Sequence, residues 1–110
     1  MTEVRIMLDF IFGPIWKDYF DPDEKEWGTG VTIVDKDEIL KEINDRISEL
    51  YLSYHEIDEY GVPTGFDYER EKADKELMLT LLRQLNERLA QLNDGSFYVV
   101  DKETPRVMAL

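Results

Sequence analysis

The side chain with the widest range of chemistry is His55, the single histidine of the chain, which stands next to Glu56. A histidine beside a carboxylate can serve as a general base, and Ser48 or Ser53 could supply a hydroxyl nucleophile. The sequence has no G-x-S-x-G motif, which marks the strained strand-turn-helix corner of a hydrolase serine. A small hydrolase that uses His55 is therefore our third hypothesis, and we predict no enzyme and no catalytic residue.

Metal and cofactor sites are also predicted to be absent. One histidine and no cysteine make a poor ligand set for zinc. Asp21-Pro22-Asp23 resembles the beginning of a calcium loop. However, Lys25, Glu26 and Thr32 stand where an oxygen ligand, the turn glycine and the bidentate glutamate are required. Gly28-Thr29-Gly30 is too short to hold a phosphate, and no Gly-Lys-Ser/Thr follows.

Acidic residues are unevenly distributed along the 110-residue chain. Twenty-five Asp and Glu against thirteen Lys and Arg give a net charge of −12. Residues 1–60 hold sixteen acids and six bases, so ten of the twelve excess charges lie in that part. Such a charge repels nucleic acid and anionic lipid and favours a basic macromolecular partner. We expect no direct binding to nucleic acid or membrane.

The elements that must position these acids follow from periodicity. Alternation over Val4 to Phe12 predicts a strand that ends at Gly13-Pro14, and Val31 to Val34 is predicted to be a second strand. Asp35 is predicted to cap a first helix, with Glu38 in the capping-box position. Its apolar residues recur at steps of three and four as far as Ile57, which predicts a helix that ends near Glu59.

The second half of the chain is predicted in the same way. Its helical period predicts a core-facing stripe of apolar residues: Met78, Leu81, Leu82, Leu85, Leu89 and Leu92. Asp67 can cap a second helix over 68–92, which Asn93-Asp94-Gly95 would terminate. Phe97 to Val100 is predicted to be a third strand and Arg106 to Leu110 a fourth strand at a sheet edge. The predicted fold is one α+β domain over residues 1–110. It has two layers, an antiparallel sheet in the order β-β-α-α-β-β and a helical hairpin on one face.

The charge pattern of the two predicted helices differs. The second helix offsets its charges in i,i+4 pairs, whereas the first has no base after Arg46. Acids near a helix C-terminus oppose the helix dipole at a cost of about 0.3–1 kcal/mol each. We therefore predict a partner-binding surface where the end of this helix meets the loop 17–27. Its residues are Asp18, Tyr19, Asp21, Asp23, Glu24, Glu26, Trp27, Glu49, Tyr54, His55, Glu56, Asp58, Glu59 and Tyr60.

The general pattern resembles small acidic immunity proteins of bacterial polymorphic-toxin and contact-dependent growth inhibition systems. The resemblance comes from the N-terminal strand running into Gly13-Pro14-Ile15-Trp16, the acidic helical middle and the ending Asn93-Asp94-Gly95-Ser96-Phe97. It implies a cytoplasmic protein that binds a cognate toxin domain, often a nuclease, and neutralises it. The mechanism that the resemblance implies is occlusion, in which carboxylates meet the Lys, Arg and His residues with which a nuclease holds phosphate. Indirect inhibition from an exosite is the alternative.

A second hypothesis is a nucleic-acid-mimicking inhibitor of a DNA- or RNA-binding protein. It requires a face of regularly spaced carboxylates that imitate phosphates, whereas a surface of mixed aromatic and acidic residues favours a toxin partner. No apolar stretch approaches the length of a membrane span, and the N-terminus lacks the pattern of a signal peptide. The oligomeric state is left open by the sequence.

Overall fold

The computed structural model describes residues 1–8, 14–15, 19–21 and 26–110, and of residues 19–21, 26 and 27 only the backbone. The strands are β1 (Thr2–Ile6), β2 (Tyr19–Asp21), β3 (Glu26–Gly28), β4 (His55–Ile57), β5 (Pro63–Phe66) and β6 (Phe97–Asp101). The helices are α1 (Thr32–Asp35), α2 (Glu38–Leu52), α3 (Tyr68–Ala73), α4 (Lys75–Leu92) and α5 (Glu103–Met108). None of the helices described is long and apolar enough to cross a membrane.

The strands of the described residues form pairs rather than one sheet. β1 and β6 are parallel, with Thr2 opposite Phe97 and Ile6 opposite Asp101. β2 pairs with β3 and β4 with β5, both antiparallel. The α+β class is therefore confirmed, but the single antiparallel sheet in the order β-β-α-α-β-β is wrong. The first and last strands run in the same direction because the helices between them form a crossover connection.

The core joins the parallel pair to the helices. Val4 and Ile6 of β1 are buried, as the alternation predicted, and Leu8 packs against the core; Phe10 and Phe12 lie outside the described residues. The other buried apolar residues are Ile15, Val31, Val34, Leu40, Ile47, Tyr54, Met78, Leu82, Leu85, Leu89, Phe97 and Val107. These side chains form one cluster.

The segment before α2 differs from the predicted strand and cap. Thr32–Asp35 is a single helical turn rather than part of a strand over Val31 to Val34. The carboxylate of Asp35 accepts hydrogen bonds from Thr29 N (2.9 Å) and Thr29 Oγ1 (2.7 Å), so it folds back rather than capping α2. The cap is Asp37, which accepts from the Leu40 N–H at 2.8 Å. A side chain at Gly28 would meet this folded-back carboxylate, because a Cβ there would lie 2.6 Å from Asp35 Oδ2.

The first helix is shorter than predicted. α2 ends at Leu52, and residues 55–57 form a strand that pairs with 63–66. Glu56, Asp58 and Glu59 therefore do not lie at a helix C-terminus. The predicted opposition to the helix dipole is wrong for these three acids and applies only to Glu49, in the last turn of α2. A strand satisfies the backbone here without placing three carboxylates at the negative end of a helix.

The two long helices run antiparallel and pack on each other. Asp37 at the beginning of α2 is ion-paired to Arg88 near the end of α4, at 2.6 Å between Oδ1 and Nη2. At the other end, Tyr54 just after α2 donates its hydroxyl to Asp74, which precedes α4, at 3.1 Å. The predicted helix over 68–92 is divided at Asp74, and its predicted cap Asp67 is confirmed by a 3.0 Å bond from Arg70 N.

The end of the chain is helical rather than the predicted strand over Arg106 to Leu110. The Asp101 carboxylate accepts hydrogen bonds from Glu103 N and Thr104 N, both at 2.9 Å, and so satisfies the first amides of α5. Pro105 lies in the first turn, where a helix does not need its amide proton. Pro105, which had favoured an edge position for the predicted strand, is therefore part of the first turn of a helix.

Candidate partner-binding hairpin

The β4–β5 hairpin is the element that carries most of the described predicted site residues. His55 lies opposite Phe66 and Glu56 opposite Gly65, and the register then shifts so that Ile57 lies opposite Pro63. Beyond this shift, Asp58 N donates to Val62 O at 3.0 Å. The strands pair with each other and, among the described residues, have no extensive backbone contact with another element. The hairpin is therefore an arm attached at its base.

An aromatic cluster holds the base of the arm. The ring of Phe66 lies 5.0 Å from that of His55, 5.6 Å from Tyr51 and 4.8 Å from Tyr68, measured between centroids. It also meets the ring of Tyr54 edge-on at 5.9 Å. Offset and edge-to-face aromatic pairs add to the gain from burial, so the base is fixed to the end of α2.

Arginines surround this base. The Arg70 guanidinium lies 5.8 Å above the Tyr54 ring, and that of Arg106 lies 5.9 Å above the Tyr51 ring. Arg106 also pairs with Glu71 (Nη2 to Oε2, 2.9 Å) and with Glu103. Burial raises the pKa of Glu103, and Arg106 partly offsets that rise. Arg106 thus neutralises acids at the base, whereas the outer part of the hairpin has no Lys or Arg and stays negative.

The outer part of the arm is exposed over nine consecutive residues, from Glu56 to Thr64. It carries the apolar side chains of Ile57, Tyr60 and Val62, and Tyr60 is 83% exposed. Over residues 47–69 the chain has six Asp and Glu and no Lys or Arg. Apolar and acidic side chains thus share one projecting surface.

The structure brings together one group of predicted site residues. Glu56, Asp58, Glu59 and Tyr60 all lie on the outer part of the arm, with Glu49 exposed on α2. His55 is half-buried at the base. Tyr54 is only 1% exposed, and its hydroxyl is held by Asp74, so it belongs to the core. Burial together with the hydrogen bond to Asp74 raises its pKa, and we remove Tyr54 from the candidate surface.

The other predicted group lies on the loop 17–27. Asp18, Asp23 and Glu24 lie outside the described residues. Four more belong to the antiparallel pair β2–β3, whose side chains are also outside the description: Tyr19, Asp21, Glu26 and Trp27. The described backbone of β2 and β3 has no extensive contact with the β4–β5 arm. The joint surface of loop and helix end stays a prediction.

Two residues of the arm were missed by sequence reasoning. Ile57 was assigned to the apolar stripe of a helix, and Val62 to a connecting loop. The available signal was the Gly61 to Gly65 segment, because a short loop containing glycine after an apolar run indicates a hairpin. Gly61 has a φ of 78°, a conformation that glycine adopts without strain.

The contacts around His55 are those of a helix end. His55 Nδ1 lies 3.1 Å from the carbonyl oxygen of Tyr51, and its ring meets that of Tyr51 edge-on at 5.0 Å. Ser53 donates its hydroxyl to the Leu50 carbonyl oxygen at 2.6 Å. Both side chains thus satisfy backbone groups of the last turn, which gives no support to the hydrolase hypothesis.

Other candidate sites are weaker. In the described ranges, no group of three or more His, Cys, Asp or Glu is placed to hold a metal ion. A shallow, open depression of about 490 Å³ is lined by Thr2, Gly30, Val31, Thr32, Ile33, Asp94 and Ser96. It has no cationic lining residue and one carboxylate, Asp94, whose pKa is lowered by hydrogen bonds from Ser96. We therefore take the β4–β5 arm as the candidate site.

Comparison of the chain with protein-family models, with curated proteins and with solved structures finds no significant match. The geometry and charge of the arm are therefore the features that indicate a function.

Proposed function

We propose that this chain is an immunity-type inhibitor, which binds a basic toxin domain through the outer part of the β4–β5 arm. The single observation that supports the proposal most is the exposure of Ile57, Tyr60 and Val62 on an arm without any cation. Exposed aromatic and aliphatic side chains in a polar rim are typical of protein interfaces. The uncompensated carboxylates favour a partner of opposite charge.

The composition of the arm favours this proposal over a nucleic-acid mimic. A mimic needs carboxylates at phosphate-like intervals, whereas the outer part of the arm alternates acids with apolar side chains. The phosphate-binding surface of a DNA- or RNA-binding protein would match the acids but leave Ile57 and Val62 without an apolar contact. A toxin domain with a mixed basic and apolar surface accounts for both.

The test uses the full chain and, as its partner, the C-terminal domain of the protein encoded by the adjacent upstream gene, which the proposal expects to be a large secreted protein. In the double variant Glu56→Gln/Glu59→Gln, we expect the association rate to fall roughly tenfold at low salt, because rim carboxylates act mainly through electrostatic steering. The wild-type rate should itself decrease as NaCl is raised from 50 to 500 mM. Surface plasmon resonance measures both.

The matched control is Glu38→Gln, which removes an exposed acid from the first turn of α2, about 22 Å from the end of that helix that carries the arm. The control variant should associate like the wild type, and all variants should keep the wild-type melting temperature. The proposal is overturned if the upstream gene encodes no secreted protein of this kind or if the wild type does not bind its C-terminal domain. A flat salt response, or equal rates for both variants, would contradict the role of the arm.

A further inference from the structure

The tip of the arm is held in one conformation by Asp58. Its main chain donates to Val62 O (3.0 Å) and accepts from Gly61 N (3.1 Å). Its carboxylate Oδ1 accepts from both Tyr60 N and Val62 N, each at 2.9 Å. Four hydrogen bonds therefore fix a five-residue turn, and a preordered turn loses little conformational entropy on binding.

This turn directs Tyr60 into solvent. Tyr60 is 83% exposed, and its side chain has no aromatic contact or hydrogen bond with another of the described residues, whereas Tyr51 and Tyr54 pack in the aromatic cluster at the base. Ile57 and Val62 flank it on the two sides of the turn. Exposed apolar side chains at the end of a projecting hairpin are buried most completely by a concave partner surface.

The charges around the tip indicate what lines that concave surface. The carboxylates of Glu56 and Glu59 have no hydrogen bond or ion pair with any other described residue. At the base of the arm, by contrast, the chain itself covers a tyrosine with a cation: Arg106 lies above Tyr51 while it pairs with Glu71 and Glu103. Arginine is well suited to both contacts, since its guanidinium stacks on an aromatic face and pairs with carboxylates.

We infer that the tip inserts into a cleft of the partner, with the Tyr60 ring at its centre and arginine or lysine at the rim against Glu56 and Glu59. A cleft with a cationic rim is also where a nuclease-type enzyme holds a polyanion. The inference rests on the proposed function and deepens it: the arm occupies the site of the anionic substrate, so inhibition is by occlusion rather than from an exosite.

Truncation of the anchor is the first test. For Tyr60→Ala we expect the Kd for the upstream-encoded toxin domain to rise about 30-fold or more, mostly through faster dissociation. Tyr60→Phe should stay within about threefold, because the ring supplies most of the buried surface. Tyr98→Ala is the matched control, since Tyr98 is an exposed tyrosine on β6 outside the arm. The melting temperature of each variant establishes that it is folded.

Competition is the second test. With a catalytically inactive toxin domain, a 20-nucleotide single-stranded RNA or a duplex DNA of the same length should displace the wild-type chain. A ternary complex, or a domain that binds neither nucleic acid, would overturn occlusion. Failure of the wild type to bind the domain at all would instead refute the proposed function. Salt-dependent wild-type binding combined with an unchanged Kd for Tyr60→Ala would refute insertion alone.

Discussion

At the scale of single residues, the most consequential group is the ion cluster in which Arg106, 41% exposed, pairs with two buried glutamates. Glu71 and Glu103 are 4% and 3% exposed, and the carboxylates of both accept hydrogen bonds from the Arg106 guanidinium. Burial acts to lower the pKa of Arg106, but the hydrogen bonds that Arg106 donates to the two carboxylates outweigh it and raise that pKa. The cluster joins α3 to α5 and lies against Tyr51, so it also supports the base of the arm.

Removing this arginine should cost more than removing one whose partner is also exposed. In Arg106→Ala, two buried carboxylates lose their counter-charge, and we expect the free energy of unfolding to fall by about 2 kcal/mol at neutral pH. This is less than the cost of breaking a fully buried pair, because solvent already screens the guanidinium. Urea titration measures the change. The control is Arg83→Ala, because Arg83 and Glu87 form an exposed pair at 3.8 Å whose loss should cost less than about 0.5 kcal/mol. Equal losses in the two variants would contradict the structural role of the cluster.

At the scale of elements, the arm combines a fixed base with an ordered turn. The aromatic rings hold the base, and one aspartate side chain holds the tip. Asp58 therefore differs from its neighbours in the acidic run, because its carboxylate has a structural role while that of Glu59 faces solvent. Charge alone does not distinguish the two residues, which is why the sequence placed both in one binding surface.

This difference is measurable by hydrogen exchange. In Asp58→Ala, the amides of Tyr60 and Val62 lose their acceptor, and we expect their exchange to accelerate on the order of tenfold. The melting temperature should change little, because the tip is remote from the core. Glu59→Ala is the control and should leave both amides as in the wild type. Unchanged exchange in Asp58→Ala would show that the turn is ordered by something else.

At the scale of the whole molecule, a few carboxylates tie distant parts of the chain together. Asp37 joins the beginning of α2 to Arg88 of α4, and its pKa is lowered chiefly by the hydrogen bond from that arginine. Asp101 joins β6 to α4 through Asn86 and satisfies the first turn of α5. Burial acts to raise the pKa of Asp101, but hydrogen bonds from Thr104 and Asn86 outweigh it and the pKa is lowered.

These lowered values predict acid sensitivity. A carboxyl group with a lowered pKa in the folded state contributes stability that is present above about pH 4, the unfolded value, and is lost as the pH falls through the folded value. Glu103, with a raised pKa, acts in the opposite sense, since its contribution is lost as the pH rises. We therefore expect Asp101→Asn to be less stable than the wild type at pH 6 but to lose less stability between pH 5 and pH 2.

Urea midpoints measured from pH 2 to pH 6 check this expectation. The control Glu38→Gln should follow the wild-type curve, because Glu38 lies exposed in the first turn of α2 and joins no other element. An acid limb of equal slope in Asp101→Asn and wild type would contradict the assignment of acid sensitivity to Asp101.

The sequence alone predicted the features that depend on residues close together in the chain. Alternation predicted that Val4 and Ile6 face the core, and the 3.6-residue period predicted burial of Met78, Leu82, Leu85 and Leu89. Asp67 as a cap and Gly95 with its positive φ were predicted for the same reason, since each depends on its own backbone and neighbouring amides. The acidic run after Arg46 and its lack of a base were also evident from the sequence.

Strand pairing and the end of the first helix depend on contacts between residues that are far apart in the sequence. β1 pairs with β6, from the opposite end of the chain, and no local pattern specifies that partner or its parallel direction. The apolar series that was predicted to lie on one helix as far as Ile57 is divided between α2 and β4. The division occurs because Tyr54 is buried in the core and the Phe66 ring packs against the Tyr54 ring. The single interval of three residues from Tyr54 to Ile57 was too short to establish that the helical period continued. Because of this long-range packing, residues 55–66 form a hairpin arm where the sequence predicted a helix end. The acids of residues 56–59 therefore lie on the arm together with the exposed Tyr60.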